Sequence, residues 1–176
     1  MLSVRELELR DIPAITDYWL LSDKAHLERM GVNVEKMLSR EKWEKMLSEQ
    51  LRQDYTKKSS YCMIWELDGK AIGHSNVNMI VYGDKAYMHL HIWDQTLRLQ
   101  GRGLELVKMS LPYFFKNLEL KEIYCEPNAL NEAPNKTLER VGFTLVKEYT
   151  TKPGYLSDEQ PVKLWRLGLA EFNELY

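Results

Sequence analysis

Two dipeptides constrain this chain more than anything else in it: Asp68-Gly69 and Gly83-Asp84, each set between runs that read as strands. Pairs of this kind accept the positive φ angles of a tight hairpin, so the runs on either side must fold back on each other. The runs are Tyr61 to Leu67, Ala71 to Tyr82 and Lys85 to Trp93, and they predict an antiparallel meander in the middle of the chain. The second turn also predicts a register. Pairing Tyr82 with Lys85 puts Asn78 opposite His89, Asn76 opposite His91 and His74 opposite Trp93. One face of that hairpin then carries His74, Asn76, Asn78, His89 and His91, while Val77, Met79, Leu90 and Ile92 take the other.

Directly after the meander comes a short basic stretch, Arg98-Leu99-Gln100-Gly101-Arg102-Gly103, and after it Leu104, Val107, Leu111, Phe114 and Leu118 recur at helical spacing. The stretch is a strand-to-helix turn. Its glycines let the backbone turn tightly, and the opening of the helix leaves N–H groups without intrahelical partners. With the helix dipole, Arg98 and Arg102 behind it, the turn is an anion cradle suited to a phosphate-bearing cofactor.

The rest of the chain is arranged around this unit. Ser3 to Leu9 suggests an edge strand; Asp11 and Pro13 open a helix that turns Ile15, Trp19 and Leu20 to one side; Leu21 to Val34 reads as irregular. Ser39 caps a second helix with the stripe Trp43, Met46, Leu47 and Leu51. Pro112 should bend the helix after the glycine turn. Glu122 to Glu126 is a short strand reached through that helix, as a parallel neighbour requires. Asn131 caps a final helix that runs past Pro134, Leu138 and Val141 to Gly142, and Phe143 to Tyr149 with Val162 to Leu167 close the chain as a strand pair.

The 176 residues suit one domain, 1–176. With 24 basic and 26 acidic residues the net charge is −2 and no block of one sign marks a nucleic-acid or membrane surface. The opening residues lack the apolar core of a signal peptide, so a cytoplasmic protein is expected. Cys62 and Cys125 fall inside strand-like runs and read as buried thiols.

The turn, with Arg98, Gly101 and Gly103 in the pattern R/Q-x-x-G-x-G/A, resembles motif A of the GNAT superfamily of acyl-CoA-dependent N-acyltransferases. A second region supports the resemblance: Cys125-Glu-Pro, Asn131 and then Leu138-Glu-Arg-Val-Gly-Phe143 is similar to the family's N-x-x-S-x-x-x-L-E-K-x-G-F segment, most like the branch of ribosomal-protein N-terminal acetyltransferases. The resemblance implies the GNAT fold, a mixed α/β (α+β) architecture. Its central sheet is mostly antiparallel, with about six to seven strands and about four flanking helices. It also implies acetyl-CoA as cosubstrate and no metal, with transfer of the acetyl group to a primary amine by direct attack. The implied cofactor contacts are Ile92, Trp93 and Asp94 at the strand end, Arg98, Leu99, Gln100, Gly101, Arg102, Gly103 and Leu104 at the turn, and Asn131 and Lys136 on the later helix. One position departs from the family: Pro134 stands where a serine or tyrosine often protonates the leaving thiolate, and proline has no proton to give.

For the base, His89 and His91 are the candidates, because histidine titrates near neutrality and both lie on the strand leading to the turn. The plainer alternative is that Asn78 and Asn76 satisfy them across the hairpin. A His-x-His pair can also hold a metal, although no Asp, Glu or Cys lies beside it at ligand spacing. Glu66 is a lesser base candidate, and Trp19, Trp43 and Trp93 can line an acceptor pocket, although core packing is the favoured role for each. A non-catalytic acyl-CoA-binding module competes with the enzyme, with Pro134 in its favour. The acceptor is a small-molecule amine or a protein N-terminus; Asp23, Glu28, Glu35 and Glu41 are available as an amine-attracting rim, although the lysines interleaved with them favour a solvated helix face.

Overall fold

The computed structural model describes residues 1–98 and 101–176; Leu99 and Gln100, both expected at the cofactor turn, lie outside the described residues. Seven strands form one sheet: β1 (Leu2–Glu6), β2 (Ser60–Leu67), β3 (Lys70–Val81), β4 (Lys85–Ile92), β5 (Glu122–Cys125), β6 (Thr144–Thr151) and β7 (Gln160–Gly168). Their order is β1-β2-β3-β4-β5-β7-β6, antiparallel everywhere except between β4 and β5. The described helices are α1 (Ile12–Leu21), α2 (Lys24–Arg29), α3 (Arg40–Arg52), α4 (Arg102–Asn117), α5 (Glu132–Val141) and α6 (Leu169–Leu175). Two exceed the expected four: α2 stands in the segment read as irregular, and α6 follows the strand pair read as the end.

The Asp68-Gly69 hairpin forms as expected, with Leu67 opposite Lys70 and both turn residues at positive φ. The Gly83-Asp84 turn does not. It takes three residues, with Val81 opposite Lys85, and Met79 at φ 48° then adds a bulge. Each change moves the register by one, so Asn78 meets Tyr87, Asn76 meets His89 and His74 meets His91. A shift of two preserves the faces, because side chains alternate with period two. Met79 alone leaves its expected face and stands exposed at the bulge.

The two faces are covered differently. Against one lies α4, unbroken through Pro112, with Leu106, Val107, Leu111, Phe114 and Leu118 buried among Met63, Trp65, Val77, Ala86 and Ile123. Trp65 Nε1 donates to Ser110 Oγ at 2.9 Å, and that hydroxyl donates to Leu106 O, so the polar atoms beneath the helix are satisfied. On the other face α1 and α3 pack a smaller cluster of Leu7, Ile12, Ile15, Leu47, Cys62 and Ile64, and the sheet beyond it stays open to a cavity. In α1 it is Tyr18 that is buried, while Trp19 and Leu20 are only partly covered.

Candidate active site

β4 and β5 pair only from Lys85 to Tyr87 and then part, which leaves the rest of β4 without a ladder partner on that side. Trp93 N–H donates to Ile72 O at 2.9 Å across the β3 side, so alternation of the antiparallel ladder turns the backbone of Leu90 and Ile92 toward the gap. Of the three amides expected at the thioester, Ile92 is therefore open, whereas Trp93 is spent within the sheet. Asp94 serves its own turn, accepting from the N–H and hydroxyl of Thr96. Gly73 is needed opposite Ile92, because a Cβ there would stand 2.4 Å from the His91 carbonyl oxygen.

At the turn, Gly101 has φ +74°, a left-handed conformation that favours glycine, and α4 begins at the next residue. Among the described residues Arg102 Nη1 has no hydrogen-bond partner although it is buried. A Cβ on Gly103 would make only ordinary contact with Ile92 Cδ1, and Leu104 packs against the main core. The orphaned guanidinium nitrogen, the helix opening and the left-handed glycine together fit a pyrophosphate. Arg98 is turned elsewhere. Its Nε and Nη2 donate to Ile92 O at 3.0 and 2.8 Å, and Nη1 donates to His26 Nδ1 at 3.1 Å. Lys136 is on the solvent side of α5, paired with Glu132. Asn131 is the N-cap residue of α5 without a side-chain cap bond, and it lines the cavity with Pro134.

The floor of the cavity is the histidine and asparagine face of β3 and β4. His89 Nε2 lies 3.1 Å from Asn78 Oδ1. An amide oxygen only accepts, so the proton is on Nε2 and the Nδ1 lone pair is free. His91 is held otherwise. Arginine only donates, so His26 accepts at Nδ1 and gives its Nε2 proton to Tyr18 Oη at 3.1 Å. The Tyr18 hydroxyl has two acceptors in reach, His91 Nδ1 at 3.2 Å and Met30 Sδ at 3.3 Å. The one it chooses decides which ring nitrogen of His91 keeps a lone pair. His91 also stacks on His74, ring centres 4.6 Å apart, and His74 accepts from Trp93 Nε1 at 2.8 Å.

Burial makes all four imidazoles poor proton holders. It pulls His26 down to about 4, with help from Arg98, His74 to about 3 and His89 to about 4. His91 falls well below the usual value through burial and the neighbouring imidazoles and Arg98. They are neutral at pH 7, which a base requires. Glu66 is unsuited to that role, since it is tied to Arg5 and Ser3 at the sheet edge. Both cysteines are free and buried, and burial lifts the Cys125 thiol to about 12. Among the described residues no three His, Cys, Asp or Glu side chains gather as a metal site, and no helix is long and apolar enough to cross a membrane.

Above the floor lies a cavity of about 580 Å³, walled by Ile15, Trp19, Trp43 and Leu47 from α1 and α3, by Cys125 to Asn128 and by Pro153 to Ser157. Trp19 and Trp43 are there as expected, stacked 5.2 Å apart. Trp93 is not among the lining residues; its indole holds His74 instead. Sequence reasoning missed Tyr18 and His26, and placed His74 on the right face without giving it a role. It also missed Asn135, which accepts from Trp165 Nε1 and donates to the Asn128 and Asn131 carbonyls, ordering the start of α5.

The sheet thus splits beside a strand-to-helix turn, with a histidine-floored cavity on one face. The family model described as Acetyltransferase (GNAT) domain matches residues 2–144, and the chain belongs to that family of acyltransferases. Among solved structures the chain is similar to RimL, a ribosomal L7/L12 alpha-N-protein acetyltransferase in complex with coenzyme A, at 17% identity and a TM-score of 0.78, covering 97% of this chain and 95% of that one. It is also similar to spermidine N-acetyltransferase from Vibrio cholerae in complex with CoA and spermine, at 18% identity and a TM-score of 0.79, covering 98% of each chain. A third is the ribosomal-protein-S5-alanine acetyltransferase from Vibrio fischeri, at 17% identity and a TM-score of 0.78, covering 97% of this chain and 94% of that one. No curated protein matches the sequence.

Proposed function

We propose that residues 1–176 form one acetyl-CoA-dependent N-acetyltransferase unit that acts on a primary amine by direct transfer within a ternary complex. The observation that carries this reading is the open amide of Ile92, which faces the β4–β5 gap between the anion cradle at Gly101 to Gly103 and the histidine-lined cavity. Bound acetyl-CoA supplies a thioester with its carbonyl ready to be polarised and its thiolate a fair leaving group. Ile92 N–H is the donor for that carbonyl, and the turn with Arg102 is the anchor for the pyrophosphate. His89, oriented by Asn78, offers a free Nδ1 lone pair to the amine proton, and His91 is the second candidate. Pro134 on the cavity wall keeps a second reading open, an acyl-CoA-binding module without turnover.

Acetyl-CoA should raise the melting temperature, and Gly101→Asp, which forces a side chain into the left-handed region and adds a negative charge at the cradle, should abolish that rise. No rise in the wild type would defeat the cofactor assignment. Thiol release against a panel of amines then separates enzyme from module. Turnover lost in His89→Ala or His91→Ala with the cofactor-induced rise retained supports the enzyme and the histidine concerned.

A further inference from the structure

The cavity walls carry information about the acceptor that the cofactor side does not. Among the described lining residues Glu126 is the one carboxylate, it accepts from the Tyr149 hydroxyl, and no lysine or arginine is present. The candidate rim residues Asp23, Glu28, Glu35 and Glu41 are absent from the lining. In their place stand Ile15, Trp19, Met30, Val32, Trp43 and Leu47. Trp19 and Trp43 stack at an angle of 7°, so the faces they turn to each other are closed to a cation. Apolar side chains continue to the mouth, where Met46 and Tyr155 are 42% and 70% exposed. The floor is polar but uncharged, since burial keeps its imidazoles neutral.

A polyamine is ill-matched to these walls. Its amine groups beyond the one acetylated remain charged at pH 7, whereas the described walls offer a single carboxylate, Glu126, already engaged by the Tyr149 hydroxyl.

We propose that the acceptor is a primary monoamine with an apolar body, and that polyamines are poor ligands of this site. The proposal names the acceptor class for the acetyltransferase reading and rests on it for the reaction, but the binding preference belongs to the walls alone. Calorimetry with the full chain, without and with coenzyme A, should give at least tenfold tighter binding of 2-phenylethylamine than of spermidine. Met46→Glu, at the exposed lip where folding is not at risk, should strengthen spermidine binding and weaken that of 2-phenylethylamine. Spermidine binding as tight as the arylamine in the wild type overturns the monoamine assignment. Failure of the acetyltransferase reading looks different: acetyl-CoA would not raise the melting temperature, while the amine preference measured without cofactor would still stand or fall by itself.

Discussion

On the α4 side of the β3–β4 hairpin, Val77 and Ala86 are fully buried among aliphatic and aromatic side chains, and the few polar atoms beneath the helix are paired. On the α1–α3 side, the neighbouring positions of the same two strands carry His74, Asn76, Asn78, His89 and His91 and look into a cavity. The backbone is shared, so the difference lies in the alternating side chains and in what covers them. The α4 face gains stability from close packing. The other face keeps polar groups half-satisfied around open space, which adds little to stability and leaves lone pairs and donors for a ligand.

The sharpest way to break this comparison is to damage the packed face. Phe114→Ala should lower unfolding free energy by about 3–5 kcal/mol in denaturant titration, and a loss as small as a surface substitution would mean that α4 is not the structural side. Acidification tests the cavity face next. Each of the four histidines has a folded pKa below its unfolded value near 6.5, so the unfolded state binds the extra protons as pH falls. Their contribution is complete above about pH 6.5 and is lost as pH falls toward 4, each proton adding a slope of about 1.4 kcal/mol per pH unit. Melting temperatures should therefore be level from pH 8 to 7 and drop between pH 6 and 4. Equal melting temperatures at pH 7 and 5 would contradict the buried neutral cluster.

Tyr18→Phe is a finer cut. Removing the hydroxyl leaves His26 Nε2–H without its acceptor and His91 without its holder, for a loss of about 1–3 kcal/mol and a changed pH profile of kcat. A stability loss with an unchanged profile would confine Tyr18 to structure. The smallest effect belongs to Asn78→Ala, which should cost about 1 kcal/mol or less yet lower kcat more than it raises KM, because it frees His89 to turn.

Much of this molecule was legible in its residues. Asp68-Gly69 and Gly83-Asp84 announced the meander, and the Arg98–Gly103 stretch announced the turn into α4. The histidine face was read correctly although its register was not. The Gly83-Asp84 turn took three residues where two were expected, and the bulge at Met79 shifted the strand by one more. α2 escaped notice because six residues, Lys24–Arg29, are too few to display a helical period, and His26 went with it. Tyr18 was hidden in α1 behind the more conspicuous Ile15 and Trp19. Arg98 looked like a phosphate ligand from its place in the turn, whereas its guanidinium spans Ile92 O and His26 Nδ1.

What the sequence determined by itself is local in origin: turn chemistry, the alternation that separates the two faces of β3 and β4, and the glycine that lets α4 begin after a tight turn. These depend on each residue and its near neighbours. Tertiary structure alone decided that β4 and β5 part after Tyr87 and open the Ile92 amide. The same is true of the union of α1, α2, β4 and the turn through Tyr18, His26, His91 and Arg98. Such contacts join groups as far apart as Tyr18 and His91, and which nitrogen holds a proton there depends on partners that no local pattern encodes.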